Sequence, residues 1–410
     1  MKVLVLNCGS SSIKYQFMDT TAQIALAKGM VERIGMSSAI LTHQPHDKEK
    51  IKIVGEILDH TIAIEYVIAV LLSPNHGVIN DKKEIDAVGH RVVHGGETFS
   101  GSVLITDQVM KALKDNIELA PLHNPPNIKG IQASKSLLPN TPQVGVFDTS
   151  FHIKMPPQAY LYGIPYELYK KYKIRRYGFH GTSHRYVSER ASKMLGKPVE
   201  QLKIVTAHLG NGCSMAAVDG GRSVDTTMGF TPLEGLLMGT RSGDMDPSVI
   251  LYIMAKEGLS LSEANTLLNK HSGLIGISGE SSDMREIEEA VGEGNKKAKY
   301  ALDVFTYRIK KYVGAYAAAM GGLDALVFTG GIGENSVMVR NNVCSDMAFL
   351  GINLDKSANE NVSGECLVSS KDSKVSVLRI PTNEELVIAL DTEEIVSGQL
   401  NAKETEPDIK

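Results

Sequence analysis

Excess positive charge is missing from this 410-residue sequence: the formal net charge is −4. No polybasic surface therefore argues for nucleic acid or an anionic membrane as a partner. Cysteine is scarce, with four residues (Cys8, Cys213, Cys344, Cys366), no CxxC pair and no histidine cluster at metal spacing. Scattered thiols without a disulfide framework fit a reducing compartment. No apolar run approaches the ~20 residues needed to span a bilayer. The first residues enter a strand-like run at once, leaving no room for a signal peptide. Tryptophan is absent from an otherwise ordinary composition, 42% hydrophobic and 22% charged. These absences leave a cytoplasmic enzyme or a nucleotide-driven machine, long enough for two domains with filled cores. The usual nucleotide fingerprints are lacking too: there is no GxxxxGKS/T, no GxGxxG after a strand, and no HRD with DFG. P-loop and protein-kinase readings therefore fail.

What is present is an alternation of strand-like and helical runs, which predicts an α/β architecture. "KVLVLN", "EIDAVGHRVVH", "QVGVFD", "KIVTAHL", "DALVFTG" and "KVSVLRI" read as strands, most of them buried on both faces. "GEILDHTIAIEYVIAVLL", "NIKGIQASKSLL" and "SHRYVSERASKML" read as helices. The clearest helix spans Lys296 to Met320, where Ala298, Ala301, Leu302, Phe305, Ile309, Tyr312, Val313, Tyr316 and Met320 keep helical spacing. A last helix opens at "TNEE", with Thr382 as expected cap and Glu385 completing a capping box.

One internal echo organises the chain. "KVLVLNCGSSSIKYQF" and "KIVTAHLGNGCSMAAV" share a Lys start, an apolar strand, a Gly-containing turn and a return strand, and Gly9 falls on Gly210. Two such hairpins half a chain apart suggest a duplicated domain presenting turns to a cleft between the halves. The expected boundaries are 1–150, completed by a C-terminal helix at about 383–397, and 151–382.

Three Gly-rich turns follow strands: "NCGSSS" (7–12), "HLGNG" (208–212) and "TGGIGEN" (329–335). Singly each is a turn; together they point to phosphate and nucleoside binding, since exposed backbone N–H groups and hydroxyls cradle anions. Lys14 adds a compact charge beside the first. Arg91 stands at the end of a buried strand in "VGHRVVHGG", where a charge needs a partner. Asp148 ends another strand in "GVFDTSFH", His180 occupies a Gly-flanked loop in "RYGFHGTSH", and Arg241 lies among small residues in "MGTRSGDMDP". Two arginines, a histidine and an aspartate beside phosphate turns are what phosphoryl transfer needs, because the moving group spreads charge over its equatorial oxygens.

The chain resembles the acetate and butyrate kinase family, within the actin, sugar-kinase and heat-shock ATPase superfamily. The resemblance runs from Met1 to about Val396. It rests on "LVLNCGSSSIKY", "VGHRVVHGGE", "PLHNPPN", "VFDTSFH", "RRYGFHGTSH", "HLGNGCS", "DTTMGFTPLEGLLMGTRSGDMDP", "GISGESSDMRE", "FTGGIGEN" and "RIPTNEE". It implies duplicated actin-like (ribonuclease H-like) ATPase domains with a cleft between them, working as a homodimer. It also implies ATP-dependent, reversible phosphorylation of acetate to acetyl phosphate with Mg²⁺, Mn²⁺ being able to substitute.

By that resemblance Asn7 and Glu384 orient the metal and Lys14 supports the phosphate end. His208, Leu209, Gly210, Asn211 and Gly212 contact the phosphates. Asp283, Met284 and Arg285, with Gly331, Ile332, Gly333, Glu334 and Asn335, hold ribose and adenine. Arg91 and Arg241 bind the carboxylate and the moving phosphoryl group, with His180 on the equatorial oxygens. Val93, Leu122, Phe179 and Pro232 wall a pocket for the methyl group. A carboxylic acid of pKa about 4 is already ionised at pH 7 and needs no general base. Asp148 is accordingly read as orienting an arginine or metal-bound water. Rival readings are the same chemistry on propionate or butyrate, and an actin- or heat-shock-type ATPase without a small substrate.

Overall fold

The computed structural model describes residues 1–398. The described chain divides into two compact units: Met1–Ile153 with the segment beginning at Asn383, and Lys154–Thr382.

The first unit is built on an eight-stranded sheet of β1 (Lys2–Cys8), β2 (Ser12–Asp19), β3 (Ile24–Glu32), β4 (Ala39–Pro45), β5 (Ile51–Gly55), β6 (Ala87–Val92), β7 (Val103–Leu104) and β8 (Gln143–Phe147), in the order β5-β4-β3-β2-β1-β6-β8-β7. Neighbours β1 to β5 run antiparallel, while β1, β6 and β8 are parallel. Leu4, Leu6, Ile13, Tyr15 and Phe17 join Ile64, Val67 and Leu71 of the His60–Leu71 helix in the main core. The Glu384–Val396 helix covers the other face. Residues alternate faces along a strand, and Val88 belongs to the main core while Gly89 lies under that helix. A Cβ on Gly89 would stand 2.6 Å from Thr392 Oγ1 and 2.8 Å from Ile388 Cγ2, so only glycine admits the helix so closely. By the same alternation Arg91 shares the face of Gly89, next to the start of that helix.

The second unit carries β9 (Lys203–Leu209), β10 (Cys213–Asp219), β11 (Arg222–Thr226), β12 (Ala325–Thr329), β13 (Cys366–Leu367) and β14 (Ser376–Arg379), ordered β11-β10-β9-β12-β14-β13. The Lys296–Met320 helix buries Ala298, Ala301, Leu302, Phe305, Ile309, Val313, Tyr316 and Met320. Tyr312 lies at the margin of that stripe, with its hydroxyl on Asp244.

Five consecutive strands in each sheet repeat one pattern. An antiparallel trio, β1-β2-β3 or β9-β10-β11, is followed by two parallel strands, β6-β8 or β12-β14. Lys2–Cys8 and Lys203–Leu209 are the equivalent first strands, so the echo in the sequence is an echo in the fold. Two expectations change. The sequence reading omitted β3, β4 and β5, whose outer faces are solvated. "GGIGEN" is a short helix, Gly330–Asn335, rather than a turn. No helix of the described residues is long and apolar enough to cross a membrane.

Candidate active site

In the first unit, the β1–β2 turn is closed by the Gly9 N–H donating to the Ser12 carbonyl at 2.8 Å, which leaves Ser10 and Ser11 exposed. Asn7 and Lys14 are directly opposed across the two strands, so their side chains emerge on one face. Arg91, the fifth residue of β6, is held by Asp148 just past the end of β8. Its Nε–H donates to Oδ1 at 2.9 Å and its Nη2–H to Oδ2 at 2.6 Å. Both carboxylate oxygens accept, so this is a bidentate ion pair, with Asp148 1% exposed. Burial works against the Arg91 charge, yet the Asp148 carboxylate, with Glu384 and Glu385 behind it, keeps the guanidinium above its ordinary range. Burial pushes the Asp148 carboxyl up, and Arg91 pulls it back.

Glu384 and Glu385 open the last helix, where the helix dipole favours acidic residues. Burial raises the Glu385 carboxyl, and the neighbouring Glu384 charge adds to the rise. The expected cap is corrected here. Asn383, not Thr382, caps this helix, its Oδ1 accepting from the Leu386 N–H at 3.1 Å. Thr382 instead shares a hydroxyl contact with Ser183, and Glu385 completes no capping box. Val93 is buried at 9% exposure, whereas Leu122 is 72% exposed. The structure places Asn7, Lys14, Arg91 and Asp148 at or near the ends of the inner strands β1, β2, β6 and β8, with Glu384 and Glu385 at the start of the last helix, and leaves Leu122 open to solvent.

Two asparagines that the sequence reading quoted in "PLHNPPN" without a role tie this unit together. Asn127 donates to the Cys8 carbonyl at 2.7 Å and accepts from the Val93 N–H at 3.1 Å. Asn124 does the same for both backbone groups of His94. The end of β1 and the residues after Arg91 are thus fixed to one helix, Asn124–Leu137.

In the second unit, His180 has a left-handed backbone (φ +56°) at the cap position of the Gly181–Leu195 helix, a strained conformation for a non-glycine residue. Its ring stacks on His208 with centroids 4.3 Å apart. His208 lies at the end of β9, and its Nδ1 is 2.8 Å from Ser183 Oγ. Arg241 donates from Nη1 to the Pro232 carbonyl at 3.0 Å and contacts Met238 Sδ. No ion pair to Arg241 exists among the described residues, and burial lowers its guanidinium pKa. A Cβ on Gly212 would meet Arg241 Nη1 at 3.4 Å and His180 Nε2 at 3.8 Å, so these residues gather around the β9–β10 turn. In that turn Leu209 is buried, the Gly210 N–H donates to the Gly212 carbonyl, and the Asn211 carbonyl accepts from the Gly239 N–H. Phe179 is 3% exposed.

The residues flanking Pro232 are held by a clamp that the sequence did not reveal. Arg176 donates to the Thr226 and Thr227 carbonyls, both at 2.9 Å, and pairs with Glu234. Tyr162 also donates to Glu234 and accepts from the Phe230 N–H.

Asp283 caps the Met284–Gly292 helix and pairs with the exposed Arg285 at 2.6 Å; Met284 is buried. In Gly330–Asn335, Glu334 Oε1 accepts from the Gly330 and Thr382 N–H groups, and Asn335 donates to the Gly331 carbonyl. The fully buried Arg340 donates to the Gly333 and Glu334 carbonyls. This satisfies carbonyls at the end of the short helix. Gly331 and Asn335 are exposed, Ile332 is half-buried and Gly333 buried.

Among the described residues no group of three or more His, Cys, Asp or Glu could hold a metal ion. Asn7 and Glu384 carry side-chain oxygens, the donor type a hard divalent cation takes.

The family model described as the Acetokinase family matches residues 2–390. The acetate kinase of Desulfitobacterium hafniense (strain Y51) is 57% identical over 396 residues, covering 97% of this chain and 99% of that protein. The crystal structure of Porphyromonas gingivalis acetate kinase superposes with a TM-score of 0.94 at 52% identity, covering 96% of this chain and 99% of that one. A propionate kinase from Francisella tularensis gives a TM-score of 0.90 at 44% identity, with the same coverage. On the family match across almost its whole length, this chain belongs to the acetokinase family.

Proposed function

We infer that this chain catalyses the reversible, ATP-dependent phosphorylation of acetate to acetyl phosphate, a phosphotransfer with a carboxyl group as acceptor. The observation that carries this reading is 57% identity to acetate kinases over 97% of the chain. Its chemistry joins two anions, so cations and N–H donors matter more than a base. In-line transfer to an ionised carboxylate asks for positioning and charge neutralisation.

Arg91 and Arg241 bind the carboxylate and the transferring phosphoryl group, and His180 donates to its equatorial oxygens. The bidentate Arg91–Asp148 pair supports a role for Asp148 in orienting that arginine. Val93, Leu122, Phe179 and Pro232 wall the methyl pocket. His208 to Gly212 and Lys14 take the phosphates. Asp283 to Arg285 and Gly331 to Asn335 take the nucleoside. Asn7 and Glu384 hold Mg²⁺, which when bound neutralises phosphate charge. The domains proposed are 1–150 with about 383–397, and 151–382; the division of the described chain near Ile153 and Thr382 supports them.

A homodimer is supported by the Pro247–Glu257 helix, an apolar segment with no buried residue: Val249 is 43%, Leu251 66% and Tyr252 64% exposed. A surface of this kind suits a second copy of the chain. A cytoplasmic location is supported by the four free cysteines; burial pushes the Cys8, Cys213 and Cys344 thiols up to about 12.

Acetate, ATP and Mg²⁺ with hydroxylamine should yield acetyl hydroxamate, with propionate and butyrate as weaker substrates run in parallel. Absence of hydroxamate from acetate, with the nucleotide still hydrolysed, would point to an ATPase without a small acceptor.

A further inference from the structure

Behind His180 runs a buried file of side chains that the reaction reading leaves without a task. Thr206, His184 and Ser214 are each 0% exposed. His184 Nδ1 lies 2.7 Å from Thr206 Oγ1, and His184 Nε2 lies 2.7 Å from Ser214 Oγ. Ser214 Oγ in turn lies 2.9 Å from His180 Nδ1.

A hydroxyl carries one proton, so Ser214 donates to one imidazole nitrogen and accepts from the other. The file is therefore polarised in one of two directions. Thr206 decides between them. Its hydroxyl has two acceptors within reach, His184 Nδ1 at 2.7 Å and the Ala216 carbonyl at 3.5 Å. The shorter contact is a sound hydrogen bond and the longer lies at the limit of one. Donation from Thr206 leaves His184 with its proton on Nε2, which donates to Ser214. Ser214 then donates to His180 Nδ1, and the His180 proton resides on Nε2.

We propose that Thr206, His184 and Ser214 are positioning residues that fix His180 as the neutral Nε2–H tautomer. This rests on the assignment of His180 to the transferring phosphoryl group, whose oxygens only accept. Two further observations agree. Nε2 is the ring nitrogen on the side of Gly212, where a Cβ would stand 3.8 Å from it and 3.4 Å from Arg241 Nη1. A second positive charge there is unfavourable, because no ion pair offsets Arg241 among the described residues. The ring's location is secured separately, by stacking on His208 and by the start of the Gly181–Leu195 helix. The file therefore governs the proton and not the place of the ring.

The first test is ¹⁵N-histidine NMR of the full chain, with His180 assigned by signal loss in His180→Gln. Both His180 and His184 should be Nε2–H tautomers. Ser214→Ala and Thr206→Val should release the His180 tautomer and lower kcat about tenfold to hundredfold, the range for losing an orienting partner of a functional histidine. The KM for acetate should change far less than kcat, and Thr206→Ser should restore kcat. An Nδ1–H tautomer at His180 in the unmodified protein overturns the proposal even if no variant folds. So does full turnover in Ser214→Ala when His180→Ala is inactive. Full turnover in His180→Ala would instead sink the assignment of His180 itself.

Discussion

Arg91 of the first unit gives two hydrogen bonds to a carboxylate that is almost fully buried, with two further glutamates acting on it. Among the described residues, Arg241 of the second unit donates to a carbonyl oxygen and contacts a thioether, with no carboxylate partner. Burial disfavours both charges, and the two differ in what offsets it. Carboxylates hold Arg91 charged and fix the direction of its guanidinium. Burial disfavours the Arg241 charge, and no ion pair among the described residues compensates it. A guanidinium of the second kind is costly in the free protein and recovers that cost when an anion arrives. The difference separates a guanidinium whose direction is set by a protein carboxylate from one held by neutral acceptors, and under the proposed function both meet the same anion.

Substitution at Arg241 should have the largest effect on turnover. Arg241→Ala should lower kcat on the order of 10²–10³, the scale for removing a donor to the transition state. Lysine should rescue only in part, since it lacks the planar fork. Steady-state kinetics with saturating ATP decide this; near-normal kcat would remove Arg241 from the mechanism.

Acid should weaken the first unit by another route. Burial lowers His90 of the first unit from the ordinary 6.5 to about 4, and its ring is hydrogen-bonded to Gln143. His94 is lowered to about 3 by burial. Because these folded-state values lie below the unfolded ones, the unfolded chain takes up protons first as pH falls. Their contribution is complete above about pH 6.5 and is lost between 6.5 and 4 at up to about 1.4 kcal/mol per pH unit for His90 alone. Urea midpoints measured across that window should fall steeply, and His90→Gln should flatten the slope whatever it does to the level. An unchanged slope would mean His90 is not held neutral.

The two glutamates that bear on Arg91 should also part company. Glu384→Ala should raise the half-saturating Mg²⁺ about tenfold or more, as for loss of a metal-orienting carboxylate, with less change in the KM for acetate. Glu385→Ala should leave the metal requirement closer to normal. Identical metal titrations would show that Glu384 has no special place.

How much of this was legible in the sequence follows from the physics of each residue. The parallel strands stand out because both faces are buried, giving unbroken Val, Ile and Leu runs. β3, β4 and β5 escape notice because Lys28, Thr42 and Gln44 alternate with buried neighbours, and Gly29 and His43 interrupt the apolar pattern. Arg91 and Arg241 are conspicuous as charges in apolar or glycine-rich surroundings. Asn127, Ser214 and Arg340 are not, because their meaning lies in partners far along the chain, as in the bond from Asn127 to Cys8. The sequence offers Thr382 and Asn383 side by side, both accepted N-cap residues, and only the geometry selects Asn383.

The smallest expected effect concerns the pocket wall beside Arg91. Val93→Ala removes about two methylene equivalents, each worth ~0.8 kcal/mol. It should therefore favour propionate over acetate by about 1–2 kcal/mol in kcat/KM, mostly through KM for acetate. An unchanged ratio would place the alkyl pocket elsewhere.

The contrast between the arginines is tested most directly by urea unfolding of Arg91→Ala and Arg241→Ala side by side with their turnover. Both variants should lose activity. Arg91→Ala should also lose about 3 kcal/mol of stability, because Asp148 is left buried without its partner, whereas Arg241→Ala should stay within about 1 kcal/mol of the parent, as when no ion pair is broken. Equal losses of stability, or a larger loss in Arg241→Ala, would contradict the account.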